Sequence, residues 1–149
     1  MIPRPNGKWR ALAAVIVAVA LSSCATVSKD TTTSPTLSLS GPTWRIVEAG
    51  DVDVADPAQT EFRLDASGGV SGNTGCNTFT GSATVTDKKL AISPLATTRK
   101  ACLPPLDRQE TAILSALQSV RSYKAGKDGQ VNLLDDDDDV VIRLEREKP

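Results

Sequence analysis

The sequence predicts an α+β domain, a sheet of short strands with one helix packed on it. Three observations carry this. From Thr43 to about Glu147, short runs alternate apolar and polar residues and break at turn residues, as strands with one buried face do. A single segment after Pro104-Pro105 has helical period instead. The length, 149 residues, leaves room for one domain with attachments and not for two ordinary ones.

The first residues read as an export signal, outside the domain. Arg4, Lys8 and Arg10 make a basic start, Ala11 to Leu21 is an unbroken apolar run of 11 residues, and Ser22, Ser23 and Cys24 follow. A rise of about 1.5 Å per residue carries such a run across about half the hydrocarbon core, too little for a spanning helix. A core helix would need a polar face, which the run lacks. Leu21-Ser22-Ser23-Cys24 resembles the bacterial lipobox, a large aliphatic residue and two small ones before a cysteine. That resemblance implies a diacylated Cys24 as the first residue of the processed chain. Each acyl CH₂ buried in lipid then contributes about 0.8 kcal/mol of hold. Three of the 17 basic residues and none of the 18 acidic ones leave with the signal, so the remainder carries −4.

Residues 25–40 contain nine Ser or Thr and one Pro, a composition that buries too little apolar surface to offset the entropy of ordering. The chain therefore divides into a lipoprotein signal peptide (1–23), a lipidated cysteine with its Ser/Thr-rich tether (24–40), and a folded domain (41–149).

Within the domain, Thr43 to Glu48 puts Trp44 and Ile46 on one face, and Glu61 to Asp65 alternates Phe62 and Leu64 with charges. Gly68-Gly69 supplies a hairpin turn. Asn77 to Thr86 sets Phe79, Gly81, Ala83 and Val85 on one side, and Leu90 and Ile92 continue the sheet to Pro94. Leu106, Ile113, Leu114, Leu117 and Val120 form one helical stripe, so a helix is expected over about 105–120. Asp107 and Glu110 are spaced like a capping box at its start. Strands return at Ser122 to Ala125, Gln130 to Leu134 and Val140 to Leu144. The five aspartates from Asp135 to Asp139 lack the alternation, central glycine and closing glutamate of a calcium loop, so they read as a solvated hairpin tip.

The three cysteines become one lipid attachment point and one pair. In an oxidising compartment Cys76 and Cys102 read as a disulfide, with two buried free thiols as the alternative. Gly72-Asn73-Thr74-Gly75-Cys76-Asn77 superficially suggests a phosphate cradle, but it lacks the spacing, the following Lys and the following helix. Its glycines are expected to allow a sharp bend or bulge between strands.

These residues carry a resemblance. Val70-Ser71-Gly72, Gly75-Cys76-Asn77, Phe79 and Gly81, then Thr97-Thr98-Arg99-Lys100-Ala101-Cys102 and Glu110, resemble the META domain family of HslJ-like bacterial lipoproteins. Trp44 matches that family's opening Trp, and Lys100 stands where the family often has Met. The likeness covers about Gly41 to Leu144. It implies a strongly curved antiparallel sheet, a half-open barrel with one helix, similar to secretin pilot proteins. It also implies an envelope lipoprotein linked to heat-shock, antibiotic-stress, virulence or secretion roles, in a family with no established enzymatic activity. Gly72, Gly75 and Gly81 would shape the backbone, while Asn77 and Thr98 would hydrogen-bond to exposed main-chain groups.

Composition bears on function too. With no histidine, Ser-His-Asp and Cys-His catalysis and histidine metal sites are excluded, and no metal or other cofactor is expected. A net charge of −1 is wrong for a nucleic-acid binder. The leading expectation is a non-catalytic, monomeric envelope lipoprotein, held on the outer face of the plasma membrane or in the periplasm or outer membrane. It would bind an envelope protein partner or an apolar ligand in the barrel mouth. The rival is a hydrolase using paired carboxylates drawn from Asp65, Asp107 and Glu110, each of which also has a surface or capping explanation.

Overall fold

The structure, a computed structural model, describes residues 37–148. The segments expected to be a signal peptide, a lipidated Cys24 and a tether lie, up to residue 36, outside the described residues.

Eight antiparallel strands form a ring. In spatial order they are β1 (Thr43–Ala49), β3 (Thr60–Leu64), β4 (Gly69–Thr74), β5 (Thr78–Thr86), β6 (Lys89–Ile92), β8 (Ser122–Ala125), β9 (Val131–Leu134) and β10 (Val140–Arg146). The ring closes because β10 pairs back on β1, with Trp44 opposite Arg146 and Ile46 opposite Leu144. Two short strands, β2 (Val52–Asp53) and β7 (Ala96–Thr97), pair with β1 and β5. The expected half-open barrel is thus closed, and its thinnest seam lies between β6 and β8. There Lys89 faces Ser122, flanked by backbone bonds from Leu90 N to Arg121 O and from Tyr123 N to Lys88 O, both 2.9 Å.

Strand period explains which residues fill the ring. Trp44 and Ile46 flank Arg45, Phe62 and Leu64 flank Arg63, and Ile142 and Leu144 flank Arg143, and all six apolar residues are at most 1 % exposed. The interior is a filled core, and burial of each such side chain contributes about 1.5–3 kcal/mol. The helix α1 (Leu106–Ser119) sends Ile113 and Leu117 into the same cluster as Trp44, Phe62 and Phe79. Because those ring residues point inward, the helix lies across one end of the barrel rather than over its outer face. At the other end Leu39 is 1 % exposed, its carbonyl accepts from Trp44 Nε1 at 2.9 Å, and Gly41 N donates to Leu64 O. Residues 37–40, assigned by composition to the tether, belong to the folded domain.

Gly72 corrects another expectation. It makes no bend but sits mid-strand in β4, opposite Phe62 on one side and Phe79 on the other. A β-carbon there would overlap the Phe79 ring and the Glu61 carbonyl, so glycine is required for space. The bend is at Gly75, just past β4, where φ is +95°.

Candidate functional site

The residues of the recognised pattern converge at the helix-covered end, around the β4–β5 turn. Thr74 N donates to Asn77 O at 2.8 Å and closes the turn, and Gly75 N donates to Asn73 Oδ1 at 2.7 Å. The turn carries Asn77 inward until it is 1 % exposed. Its side-chain amide is then used at both ends. Nδ2 donates to Glu110 Oε2 at 2.8 Å and to Lys100 O at 3.1 Å. Oδ1 accepts from Thr98 Oγ1 and from Lys100 N, each at 2.8 Å. A buried amide with both donors and its acceptor engaged fixes its neighbours, because any displacement would orphan a polar group. Thr98 in turn accepts from Thr78 N at 3.0 Å. Asn77 and Thr98 thus both bond main-chain groups, Asn77 at Lys100 and Thr98 at Thr78.

Cys76 and Cys102 form a disulfide with their Cα atoms 6.1 Å apart, within the ordinary bridging range. Glu110 Oε2 lies 3.5 Å from Cys102 Sγ and accepts from Thr74 Oγ1 at 3.0 Å. Two sulfurs and one carboxylate thus gather within 4.8 Å. Joined to each other, the sulfurs are not thiolates, so only Glu110 keeps an anionic ligand atom.

Glu110 does not complete a capping box. The residue before the helix is Pro105, which makes no side-chain cap, and Glu110 reaches instead to Asn77. Nor do the three nominated carboxylates meet. Asp107 is exposed beside Arg108 N, and Asp65 closes the β3–β4 turn at the opposite end of that hairpin. The Ser67 hydroxyl and the backbone N–H groups of Gly69, Ser67 and Gly68 hold the Asp65 carboxyl below its ordinary pKa, the reverse of what a general acid needs.

The remaining pattern residues are structural in placement. Trp44 is fully buried, with the Arg146 guanidinium 5.5 Å from its ring centre. Phe79 pairs with Thr97 of β7, and a β-carbon on Gly81 would come within 2.7 Å of Leu95. Sequence reasoning missed Gln109, which is 2 % exposed and links Thr74 O (2.6 Å) to Ala55 N (2.9 Å). The available signal was its position, three residues after Leu106 and four before Ile113, on the apolar stripe itself.

Outside this hub the exposed large hydrophobic side chains among the described residues are Leu103 and Val85. Leu103 is 79 % exposed on the loop that follows Cys102. A groove of about 510 Å³ runs along the β6–β8 seam, floored by Leu90 and Ala91 and edged by Lys89, Arg121, Asp135 and Asp138. Among the described residues no helix is long and apolar enough to cross a membrane.

Solved structures resemble this fold. A protein from Burkholderia xenovorans, known by NMR, shares 27 % identity over 74 % of this chain and 85 % of its own, with a TM-score of 0.59. A second NMR structure shares 20 % identity over 72 % of this chain and 90 % of its own, with a TM-score of 0.55. The crystal structure of a DUF4847 family protein from Bacteroides vulgatus shares 14 % identity over 74 % and 96 % of the two chains, with a TM-score of 0.52. No curated protein matches the chain. The family model of the META domain matches residues 37–148, the span that folds into the barrel and carries the Asn77 hub, and the chain belongs to that family.

Proposed function

We propose that this protein is a non-catalytic envelope lipoprotein whose META domain binds a protein partner, in a role connected with envelope or antibiotic stress or with secretion. The observation that carries the reading is the completeness of the interior. Among the described residues the barrel interior is one continuous cluster of buried side chains, Trp44, Phe62 and Phe79 included, which favours binding at the outer surface over an apolar ligand inside. Among the described residues, the polar cluster around Asn77 spends its groups on one another and on the backbone, and holds neither paired carboxylates nor a free thiolate. What remains for function is the outer surface. Cys24 supplies the anchor, and the Ser/Thr-rich segment after it gives the domain reach.

The test joins fractionation with cross-linking. Cys24→Ala releases the protein from the membrane fraction or blocks its processing, and abolishes acyl labelling. A general cross-linker applied to intact cells under envelope stress yields a reproducible protein adduct that the released variant loses. Unchanged fractionation and labelling would remove the lipoprotein reading, and a clean negative for adducts would remove partner binding.

A further inference from the structure

We propose that the loop from Thr98 to Pro105 is the recognition surface of this domain, presenting Leu103 beside Arg99 and Lys100 to an acidic protein partner with an apolar socket. The proposal rests on the protein-binding reading above. Leu103 and Val85 are the exposed large hydrophobic side chains among the described residues, at 79 % and 39 %. A single exposed leucine is ordinary by itself. Here, though, it sits on a backbone that is held on every side. Lys100 gives both its N–H and its carbonyl to the Asn77 amide, Cys102 is bridged to Cys76, and Leu106 N closes onto Leu103 O at 2.9 Å.

A connector needs none of this. Surface loops ordinarily keep their freedom, and ordering one costs backbone entropy that must be offset elsewhere. In this protein the hub meets that cost before any partner arrives, and Arg99, Lys100, Ala101 and Leu103 all stay exposed. Holding a binding segment in its bound shape lowers the entropy loss on association. That gain is realised only against a surface with a fixed shape of its own, which favours a protein over a fluid lipid surface.

Charge sets the partner's chemistry. Among the described residues Arg99 and Lys100 take part in none of the ion pairs, and no acidic residue lies between them and Asp107. On a chain of net negative charge this is an exposed basic pair three residues before an exposed leucine on one held loop, complementary to an apolar socket rimmed by carboxylates. The loop is tied to Asn77, just past the end of the β3–β4 ladder that Thr60 and Thr74 close.

The experiment places a photo-crosslinking phenylalanine analogue at Leu103, and at the exposed barrel residue Thr84 as a control, in the full-length chain in intact cells. A discrete protein adduct is expected from position 103 and not from 84. The captured protein, identified and purified, binds the unsubstituted domain, weakens with added salt, and loses about tenfold or more in affinity on Arg99→Glu/Lys100→Glu. Leu103→Ser weakens binding without changing the melting temperature, since the side chain is exposed. Equal adducts at both positions, lipid adducts only, no adduct at 103, or affinity indifferent to charge reversal would each overturn the assignment. If the general cross-linker captures a partner while position 103 does not, the loop is wrong and partner binding stands. If neither captures one, both fall.

Discussion

Asn77→Ala is the substitution that separates a structural hub from an ornament. The amide makes four close hydrogen bonds, to Glu110, Thr98 and both backbone groups of Lys100. At about 1 kcal/mol net for each, their loss amounts to roughly 4 kcal/mol. Thr98 and Lys100 lie at the surface, so water re-solvates part of what is orphaned there, and a loss of about 3 kcal/mol is expected. For a domain of this size that lowers the melting temperature by roughly 12 °C. The readout is urea and thermal unfolding followed by Trp44, the sole tryptophan among the described residues, which is fully buried in the native state. A second readout is local. Arg99 and Lys100 are exposed tryptic sites on a clamped backbone, and releasing the clamp should speed cleavage there before the domain unfolds globally. Thr98→Val, which gives up a partly solvated hydroxyl, should cost only about 1 kcal/mol. A cost under about 1 kcal/mol for Asn77→Ala, or no acceleration of tryptic cleavage after Arg99 and Lys100, would refute a structural role for this amide.

Two further substitutions probe the barrel. Gly72→Ala places a methyl group into the Phe79 ring and the Glu61 carbonyl, and the shift it forces on β3–β5 should destabilise by about 2–3 kcal/mol in denaturant titration. A neutral effect would mean that the Phe79 ring does not lie against Gly72. Asp65→Asn tests the turn by its pH dependence. The folded carboxyl has a lowered pKa, so its contribution is present above the ordinary aspartate pKa and is lost as pH falls through the folded value. The stability gap between the two proteins should be widest near neutral pH and close as the solution becomes strongly acidic; a gap that widens on acidification contradicts it.

Much of the barrel was legible in the sequence because strand period is a local signal. Ser122 to Ala125 is a strand over the very span the alternation indicates, and α1 runs from Leu106 to Ser119 against an expectation of 105–120. The strand β4 was not legible. Its residues Gly69-Val70-Ser71-Gly72-Asn73-Thr74 carry turn composition, yet they pair on both sides, with Gly72 opposite Phe62 of β3 and Phe79 of β5. The two-residue strands β2 and β7 have too few residues to show any period. Closure of the ring depends on β1 meeting β10 across about a hundred residues of chain, which no local pattern encodes.

Glu110 shows why the hub was harder to read than the fold. Its spacing from Asp107 matches a capping box, and that reading needs only neighbours within one helical turn. Its actual partner, Asn77, lies 33 residues earlier in the sequence and meets it only after the β4–β5 turn folds beneath the helix. Of two explanations for one carboxylate, the local one is always visible first. The distant one decides the structure here because Asn77 is buried and needs its donors satisfied, whereas a helix start at the surface can be solvated by water. Gln109 obeys the same rule from the next position along. A polar side chain on an apolar stripe is an unmet hydrogen-bond requirement, and in this barrel both that requirement and Glu110 are answered by the same turn, Thr74 to Asn77.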